Sequence, residues 1–283
     1  MSCPLCDDTG WKPIEEGGVR RVTRCDCWRQ GLGSRLMTDA RIPRRYQHCD
    51  LDSFVPYNET LERAVAHARQ LADEFPVVER GLFLLGQPGV GKTHLAVAVL
   101  RQVIQTRGAR GLFYDTRDLL RVIRGTYDPV ARTTEVEVLR PVMTADLLVL
   151  DDLGAEKTSE WVEETLNLIV NTRYNERRVT LFTSNYEDKP DTTDPDALLF
   201  RIGYRMRSRL HEMCEFYHLD GADYRELPPN GGIDDLQMLW KKRKLSPGTS
   251  PSPSRARQAR AQIREPQADR RTDLGWPGGK AGR

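Results

Sequence analysis

One eight-residue segment, residues 86–93, constrains the fold of this chain more than any other. It reads GQPGVGKT and matches the pattern G-x-x-x-x-G-K-[ST] of a phosphate-binding loop. The short apolar run at residues 81–85 predicts a buried strand before it, and the apolar-rich stretch 94–105 has the length of a helix. Backbone N–H groups and a helix N-terminus converge on phosphates in such a strand–loop–helix unit. The segment therefore predicts binding of a nucleoside triphosphate, the alternative being a chance glycine-rich turn.

The residues of this loop are expected to have different roles. The Lys92 ammonium would reach the β- and γ-phosphates, and the Thr93 hydroxyl would be a ligand of Mg²⁺. The residues expected to bind ATP are Gly86, Gln87, Pro88, Gly89, Val90, Gly91, Lys92, Thr93 and His94.

A second polar group is expected at the ends of two further strands. Residues 147–152 read LLVLDD, a buried strand that ends in two carboxylates. We expect Asp151 to hold Mg²⁺ and Asp152 to orient or deprotonate the attacking water. The β-rich run that ends at Asn185 would bring an amide beside the γ-phosphate. Without the glycine loop, these residues would be interpreted as solvated acids and a turn residue.

Length and charge limit the remaining possibilities. A chain of 283 residues allows one large or two modest domains, and no apolar run approaches the ~20 residues of a membrane span. We therefore expect a cytoplasmic protein without a membrane partner. Residues 241–283 carry 12 Lys/Arg and 3 Asp/Glu, a net charge of +9, which leaves −7 for residues 1–240. This basic end predicts an electrostatic partner.

The chain is predicted to have three parts. Residues 1–34 form a cysteine-rich module, residues 35–245 alternate between strand and helix patterns as an α/β domain does, and residues 246–283 are expected to be disordered. The last segment is rich in Pro, Gly, Ser, Gln and Arg and has too few aliphatic residues to form a core.

Four of the six cysteines lie in the first part of the chain. Cys3 and Cys6 form a C-x-x-C pair, and Cys25 and Cys27 form a C-x-C pair. Two such thiolate pairs can complete a tetrahedral Zn²⁺ site, which would hold a short segment folded. Reduced thiols and redox disulfides are the alternatives.

Three arginines suggest contact with nucleic acid. Arg117, Arg121 and Arg124 share one face of a helix predicted to start near Thr116, opposite Leu119, Leu120, Val122 and Ile123. A basic stripe of this kind can follow a phosphate backbone, and it can equally be a solvated helix face.

Four segments together resemble a known family. GQPGVGKT, LLVLDDLG, NTRYNERRVTLFTSN and RSRLHEMCEFYHLDGADYR are similar to the AAA+ ATPase group that contains the DnaC and DnaI replicative helicase loaders and the IstB transposition helpers. The cysteine-rich start resembles that of many DnaC-like proteins. The resemblance implies an α/β fold, an AAA+ fold of P-loop type with a parallel sheet flanked by helices. The cysteine spacing and the composition described above add an N-terminal zinc knuckle and a disordered C-terminal tail.

The resemblance also implies functional roles. Lys92 and Thr93 match the Walker A pair, Asp151 and Asp152 the Walker B pair, and Asn185 the sensor 1 residue. Arg209 matches the arginine finger that completes a neighbouring subunit's site, with Arg205 as second choice.

The implied activity is ATP hydrolysis in DNA replication, with loading or remodelling of a replicative helicase by a homo-oligomer. The resemblance also favours DNA, single-stranded DNA in particular, as the partner of the basic stripe. Asp152 is one methylene shorter than the Glu of many AAA+ proteins, so hydrolysis is expected to be slow or stimulated by a partner. The alternatives are a helper that serves a transposase, and a non-hydrolysing ATP-gated switch that binds DNA or protein.

Overall fold

A five-stranded parallel sheet forms the centre of the molecule. The computed structural model describes residues 3–6, 9, 11–16 and 19–245 of the chain. The strand order is β4-β5-β6-β3-β7. The strands are β3 (Gly81–Gly86), β4 (Gly111–Asp115), β5 (Leu147–Asp151), β6 (Val179–Ser184) and β7 (Cys214–Leu219). A separate antiparallel pair, β1 (Trp11–Glu16) and β2 (Val19–Arg24), precedes them. This architecture agrees with the P-loop AAA+ fold expected from the sequence.

Helices cover both faces of the central sheet, as a parallel sheet with buried strands requires. One face packs against α1 (Asp26–Asp39), α2 (Glu59–Glu74) and α3 (Lys92–Arg107). The other packs against α4 (Thr116–Gly125), α5 (Glu135–Thr144), α6 (Glu160–Asn175) and α7 (Leu198–Met213). Helix α8 (Ile233–Leu245) follows the last strand. Alternate residues of each strand enter opposite cores, so Leu82 and Leu84 face the first layer while Phe83 and Leu85 face the second.

Local sequence explains where several helices begin. The Asn58 side chain accepts a hydrogen bond from the Leu61 N–H and caps α2, and the Asp115 side chain caps α4 in the same way. Thr134 and Glu137 form a reciprocal capping box at the start of α5. These caps satisfy N–H groups that lack a partner in the first helical turn.

The predicted boundaries can be compared with these elements. Helix α1 crosses the predicted limit at residue 34, and its residues Leu36 and Met37 pack against the first core layer. Residues 246–283, predicted to be a disordered tail, lie outside the described residues. Within the described part of the chain, none of the helices combines the length and the apolar character that a membrane crossing needs.

Because all five strands run the same way, their carboxyl ends share one edge of the sheet. We call this the carboxyl edge and the opposite one the amino edge. The glycine loop follows β3, the two aspartates end β5, and Asn185 follows β6. The topology therefore brings the predicted site residues of these three strands to the carboxyl edge.

Candidate nucleotide-binding site

The conformation of the phosphate loop, residues 86–93, requires glycine at three positions, and the first of them, Gly86, has a φ angle of 141°. Gly89 and Gly91 have φ angles of 83° and 100°. A Cβ atom at Gly89 would lie 1.7 Å from Asp223 Oδ1, and one at Gly91 would lie 2.6 Å from the Phe54 ring. Neither position has room for a side chain, so the loop backbone is closely packed between these two neighbours.

Lys92 begins α3 and points back into the loop. Its Nζ donates to the carbonyl oxygens of Gly86 at 2.7 Å and Gln87 at 2.8 Å, and to Asn185 Oδ1 at 2.8 Å. Burial lowers the pKa of Lys92 to about 8, although the Asp152 and Asp151 carboxylates oppose that shift. The cation is thus held beside the loop by oxygen atoms, as a polyphosphate would hold it.

Asp151 is the buried carboxylate of the site. Its Oδ1 accepts hydrogen bonds from Thr93 Oγ1 at 2.8 Å and from Thr183 Oγ1 at 2.6 Å. Burial raises the pKa of Asp151 to about 6, against the lowering effect of these two hydroxyl groups. A carboxylate and a threonine hydroxyl in contact offer the oxygen ligands that Mg²⁺ prefers, so the donor set of Asp151 and Thr93 fits that ion.

Asp152 lies at the centre of a second polar group. Its Oδ1 accepts from Asn185 Nδ2 at 2.6 Å, and its Oδ2 accepts from Arg117 Nη2 at 3.3 Å. Burial raises the pKa of the carboxyl, and the Arg117 charge opposes this effect. Since the Asn185 oxygen accepts from Lys92, the Asn185 amide connects the cation of the loop to the second carboxylate.

The basic stripe predicted for α4 contains residues in different environments. Arg117, Arg121 and Arg124 are all exposed on one face of the helix. Arg117 lies in the first turn and contacts Asp152, whereas Arg121 pairs with Asp118 at 2.8 Å and the Arg124 guanidinium lies 4.5 Å from the centre of the Trp161 ring. The structure therefore brings Arg117 into the nucleotide site, a contact that helical periodicity does not indicate.

On the apolar side of the same helix, Leu119, Leu120 and Ile123 are buried, but Val122 is 40% exposed. Helical periodicity places Val122 on the apolar side, opposite the arginines. This prediction of a buried position is wrong for Val122. The buried stripe of the ten-residue helix is therefore narrower than the sequence pattern predicts.

Two segments contact the phosphate loop although local sequence patterns did not predict a role for either of them. The Tyr224 N–H donates to the Gly89 carbonyl at 3.0 Å, and the Arg225 charge acts on Lys92 to lower its pKa. These residues follow β7, which pairs with β3, so the topology places them beside the loop. Tyr224 and Arg225 are the last two residues of the segment RSRLHEMCEFYHLDGADYR. That segment contributes to the family resemblance, but the resemblance assigned no role to these two residues.

The other neighbouring segment precedes α2. His94 Nε2 lies 3.2 Å from the Asp50 carbonyl oxygen and 3.3 Å from Ser53 Oγ, and its ring packs edge-on against Phe54. Burial lowers the pKa of His94. The His94 side chain therefore holds residues 50–54 beside the loop through these contacts. Direct contact of His94 with ATP stays a prediction.

Arg209 lies far from the loop of its own chain. It is half-buried on α7, five residues before Cys214, where β7 begins at the amino edge. Gly81 pairs with Cys214 and Gly86 with Leu219, so the loop is one strand length away. Arg205, the second choice for the finger, is exposed one helical turn earlier.

The cysteines of the N-terminal hairpin come together. The sulfur atoms of Cys3, Cys6 and Cys25 lie within 4.8 Å of one another, and those of Cys3 and Cys25 are 3.8 Å apart. Two thiolates on one tetrahedral Zn²⁺ with bonds near 2.3 Å are separated by about 3.8 Å, so the cluster fits this ion. The side chain of Cys27, the fourth predicted ligand, lies outside the described residues.

Comparison with known proteins agrees with this geometry. Residues 34–226 match the family described as IstB-like ATP binding protein. The replicative helicase loader DnaC of Escherichia coli K12 is 30% identical over 176 residues, which cover 62% of this chain and 71% of that protein. The same loader of Buchnera aphidicola from Acyrthosiphon pisum is 27% identical over 155 residues, 55% of this chain and 63% of that protein. The crystal structure of the DnaC helicase loader aligns with a TM-score of 0.56 and 36% identity over 62% of this chain and 99% of that one.

The matched segment covers more than half of this chain and contains the phosphate loop, both aspartates of the site and Asn185. Helix α8 begins after that segment ends. The parallel sheet flanked by helices and the phosphate loop are those of a P-loop AAA+ protein. The chain therefore belongs to the family of IstB-like ATP-binding proteins.

Proposed function

We propose that this protein binds and hydrolyses ATP and uses the nucleotide cycle to load a replicative helicase onto DNA. The observation that carries the ATPase part is the connected group formed by Lys92, Asn185 and Asp152 at the end of the phosphate loop. The loading part rests on the similarity to DnaC proteins, which are named replicative helicase loaders.

The residues of the carboxyl edge are suited to distinct tasks in hydrolysis. Lys92 and the backbone N–H groups of the loop bind the phosphates, and Asn185 orients Asp152 through its amide. Asp152 accepts the proton of the attacking water or orients that water. Mg²⁺ held by Thr93 and Asp151 would neutralise charge on the β- and γ-phosphate oxygens. Because Asp152 is shorter than Glu and is already engaged by two donors, slow or partner-stimulated turnover follows.

A loading assay tests the proposal directly. The purified protein is mixed with the replicative helicase of its own cell and single-stranded DNA, and helicase bound to DNA is measured with ATP, with a non-hydrolysable analogue and without nucleotide. We expect ATP-dependent loading in wild type and phosphate release that Asp152→Asn abolishes while ATP still binds. Helicase deposition that does not depend on nucleotide would contradict the proposal.

Two other outcomes would identify the alternative functions. The resemblance to IstB proteins favours a transposition helper as second candidate. Stimulation of a transposase with no effect on helicase loading would select this function. Equal phosphate release by wild type and Asp152→Asn, both at background, would select a non-hydrolysing switch.

We also propose that the hairpin of β1 and β2 is a zinc knuckle. The support is the separation of the Cys3 and Cys25 sulfur atoms and the burial of Cys6 and Cys25. Purified protein should contain about one Zn²⁺ per chain, and Cys25→Ser should lose the metal and keep ATP binding. Metal analysis of protein purified under reducing conditions without chelators measures both; a metal-free wild type would refute the knuckle.

A further inference from the structure

We propose that helix α8 is part of the nucleotide-binding apparatus and that Trp240 and Arg243 are positioning residues for the phosphate loop. The inference depends on ATP binding as proposed above. Helix α8 lies beyond residues 34–226, the segment that matches the family, so the match itself assigns no role to this helix.

Helix α8 is fastened at specific points to the segment that follows β7. Trp240 Nε1 donates to Asp220 Oδ2 at 3.0 Å, and Arg243 Nη1 donates to the Gly221 carbonyl at 3.0 Å. Leu236 on the same helix is 6% exposed. These contacts attach one face of the helix to two consecutive residues.

The other side of this short segment contacts the phosphate loop. A Cβ atom at Gly221 would lie 3.6 Å from Val90 Cγ1, and the Asp223 carboxylate packs against Gly89. The next residue, Tyr224, donates its N–H to the Gly89 carbonyl. Residues 220–224 therefore lie between α8 and the loop, with direct contacts to both.

Tyr57 joins the two sides of this arrangement. Its hydroxyl accepts a hydrogen bond from the Ala222 N–H at 2.8 Å, and its ring packs edge-on against Trp240 with 6.2 Å between centroids. A side chain at Gly221 would collide with the Tyr57 hydroxyl. The position of residues 220–224 is thus set jointly by Tyr57, α8 and the loop.

Residues 227–232, which lead to α8, read LPPNGG, a composition that is typical of a loop. If α8 leaves its place, residues 220 and 221 lose two hydrogen bonds, and Tyr57 loses its ring contact with Trp240. The phosphate loop then has no fixed neighbour on this side. ATP binding would then have to order that neighbour, which lowers affinity. Because coupling between two sites is reciprocal, ATP must in turn hold α8 in place.

Substitutions in the full-length chain test this role. Trp240→Ala and Arg243→Ala should each weaken binding of a fluorescent ATP analogue about tenfold, and Trp240→Phe, which keeps a ring but no N–H donor, about threefold. Arg243→Lys should recover part of the loss, since its ammonium can still donate. Met238→Ala and Lys242→Ala, on exposed positions of the same helix, serve as matched controls and should bind like wild type.

Two further readouts separate positioning from a general loss of stability. The increase in melting temperature that ATP causes should be smaller in Trp240→Ala than in wild type. A merely structural role of Trp240 would instead lower the melting temperatures with and without ATP by the same amount. Hydrogen exchange in residues 233–245 of wild type should slow when ATP is added, while Lys92→Ala should abolish that protection.

The inference would be overturned if Trp240→Ala and Arg243→Ala both bound the ATP analogue within twofold of wild type. It would also be overturned if hydrogen exchange in α8 did not depend on ATP. Neither result would contradict ATP binding itself. A wild-type protein that binds no ATP would instead overturn the proposed function, and the role of α8 with it.

Discussion

The two edges of the central sheet each bury a cation, and they hold it differently. At the carboxyl edge, Lys92 is 7% exposed and contacts two carbonyl oxygens and the side chain of Asn185. At the amino edge, Arg173 is 1% exposed and donates to Thr180 Oγ1 and to four carbonyl oxygens, those of Val142, Met143, Ala145 and Val179. Burial lowers both pKa values, to about 8 for Lys92 and about 9 for Arg173.

The different partners of the two cations distinguish a ligand-binding site from a purely structural contact. The partners of Arg173 are mostly carbonyl groups fixed in the backbone, and all three guanidinium nitrogens donate to them or to Thr180, so the group joins α6 to β6 and to the end of α5. Lys92 has a side-chain amide, that of Asn185, among its partners and two carboxylates nearby. A buried cation whose contacts can be exchanged is able to accept a phosphate, whereas a fully engaged one stabilises the fold.

The largest effect is expected at the carboxyl edge. Lys92→Ala should weaken ATP binding by about 1,000-fold or more, because two charge-assisted phosphate contacts at roughly 2 kcal/mol or more each are lost. Its melting temperature without nucleotide should fall less than that of an Arg173 variant, because Lys92 donates three hydrogen bonds and Arg173 donates five. Titration with a fluorescent ATP analogue measures the first quantity, and calorimetry the second. Near-normal binding by this variant would remove Lys92 from the site and erase the distinction between the two edges.

Arg209 would connect the edges of neighbouring subunits. Located near the amino edge of its own chain, it would supply a cation to the carboxyl edge of the next one, and loss of such a finger costs on the order of 10³-fold in turnover. Arg209→Ala should therefore bind ATP and fail to hydrolyse it, and Arg205→Ala should be nearly normal. Mixing Arg209→Ala with Lys92→Ala protein should restore part of the phosphate release. An inactive mixture of folded, assembled proteins would argue against a shared site.

Arg173 should matter for stability alone. Arg173→Met would leave several buried carbonyl groups without a donor and should lower the free energy of unfolding by about 3–5 kcal/mol. Arg177→Met is the matched control, since that neighbouring arginine is exposed, and its loss should cost about 0.5 kcal/mol or less. Urea denaturation gives both values. If Arg173→Met instead weakened ATP binding at a temperature where it is folded, the amino edge would have a functional role too.

Sequence patterns predicted the carboxyl edge better than the amino edge, for physical reasons. In a parallel sheet, polar residues directly after buried strands must meet, so the loop, Asp151 and Asn185 could be placed together from local patterns. Arg173, Arg177 and Arg178 are alike in sequence, and the packing of α5 against α6 decides which of them is buried. The contact of Tyr224 with Gly89 depends on the pairing of β7 with β3, which no local pattern encodes.

The smallest effect concerns Arg117, where the carboxyl edge meets the predicted DNA stripe. Its ion pair with Asp152 joins side chains that are 51% and 21% exposed, so the pair is worth under about 1 kcal/mol. Arg117→Ala should free Asp152 and raise basal phosphate release by less than about fivefold. Arg121→Ala and Arg124→Ala should leave that rate unchanged and lower DNA affinity in the presence of a non-hydrolysable ATP analogue, with a smaller dependence on salt. Affinity and phosphate release measured on all three variants distinguish these roles. Loss of turnover in Arg117→Ala would indicate that the Arg117 guanidinium binds phosphate. A loss of DNA affinity equal to that of Arg121→Ala would indicate that Arg117 binds DNA together with the other arginines of the stripe.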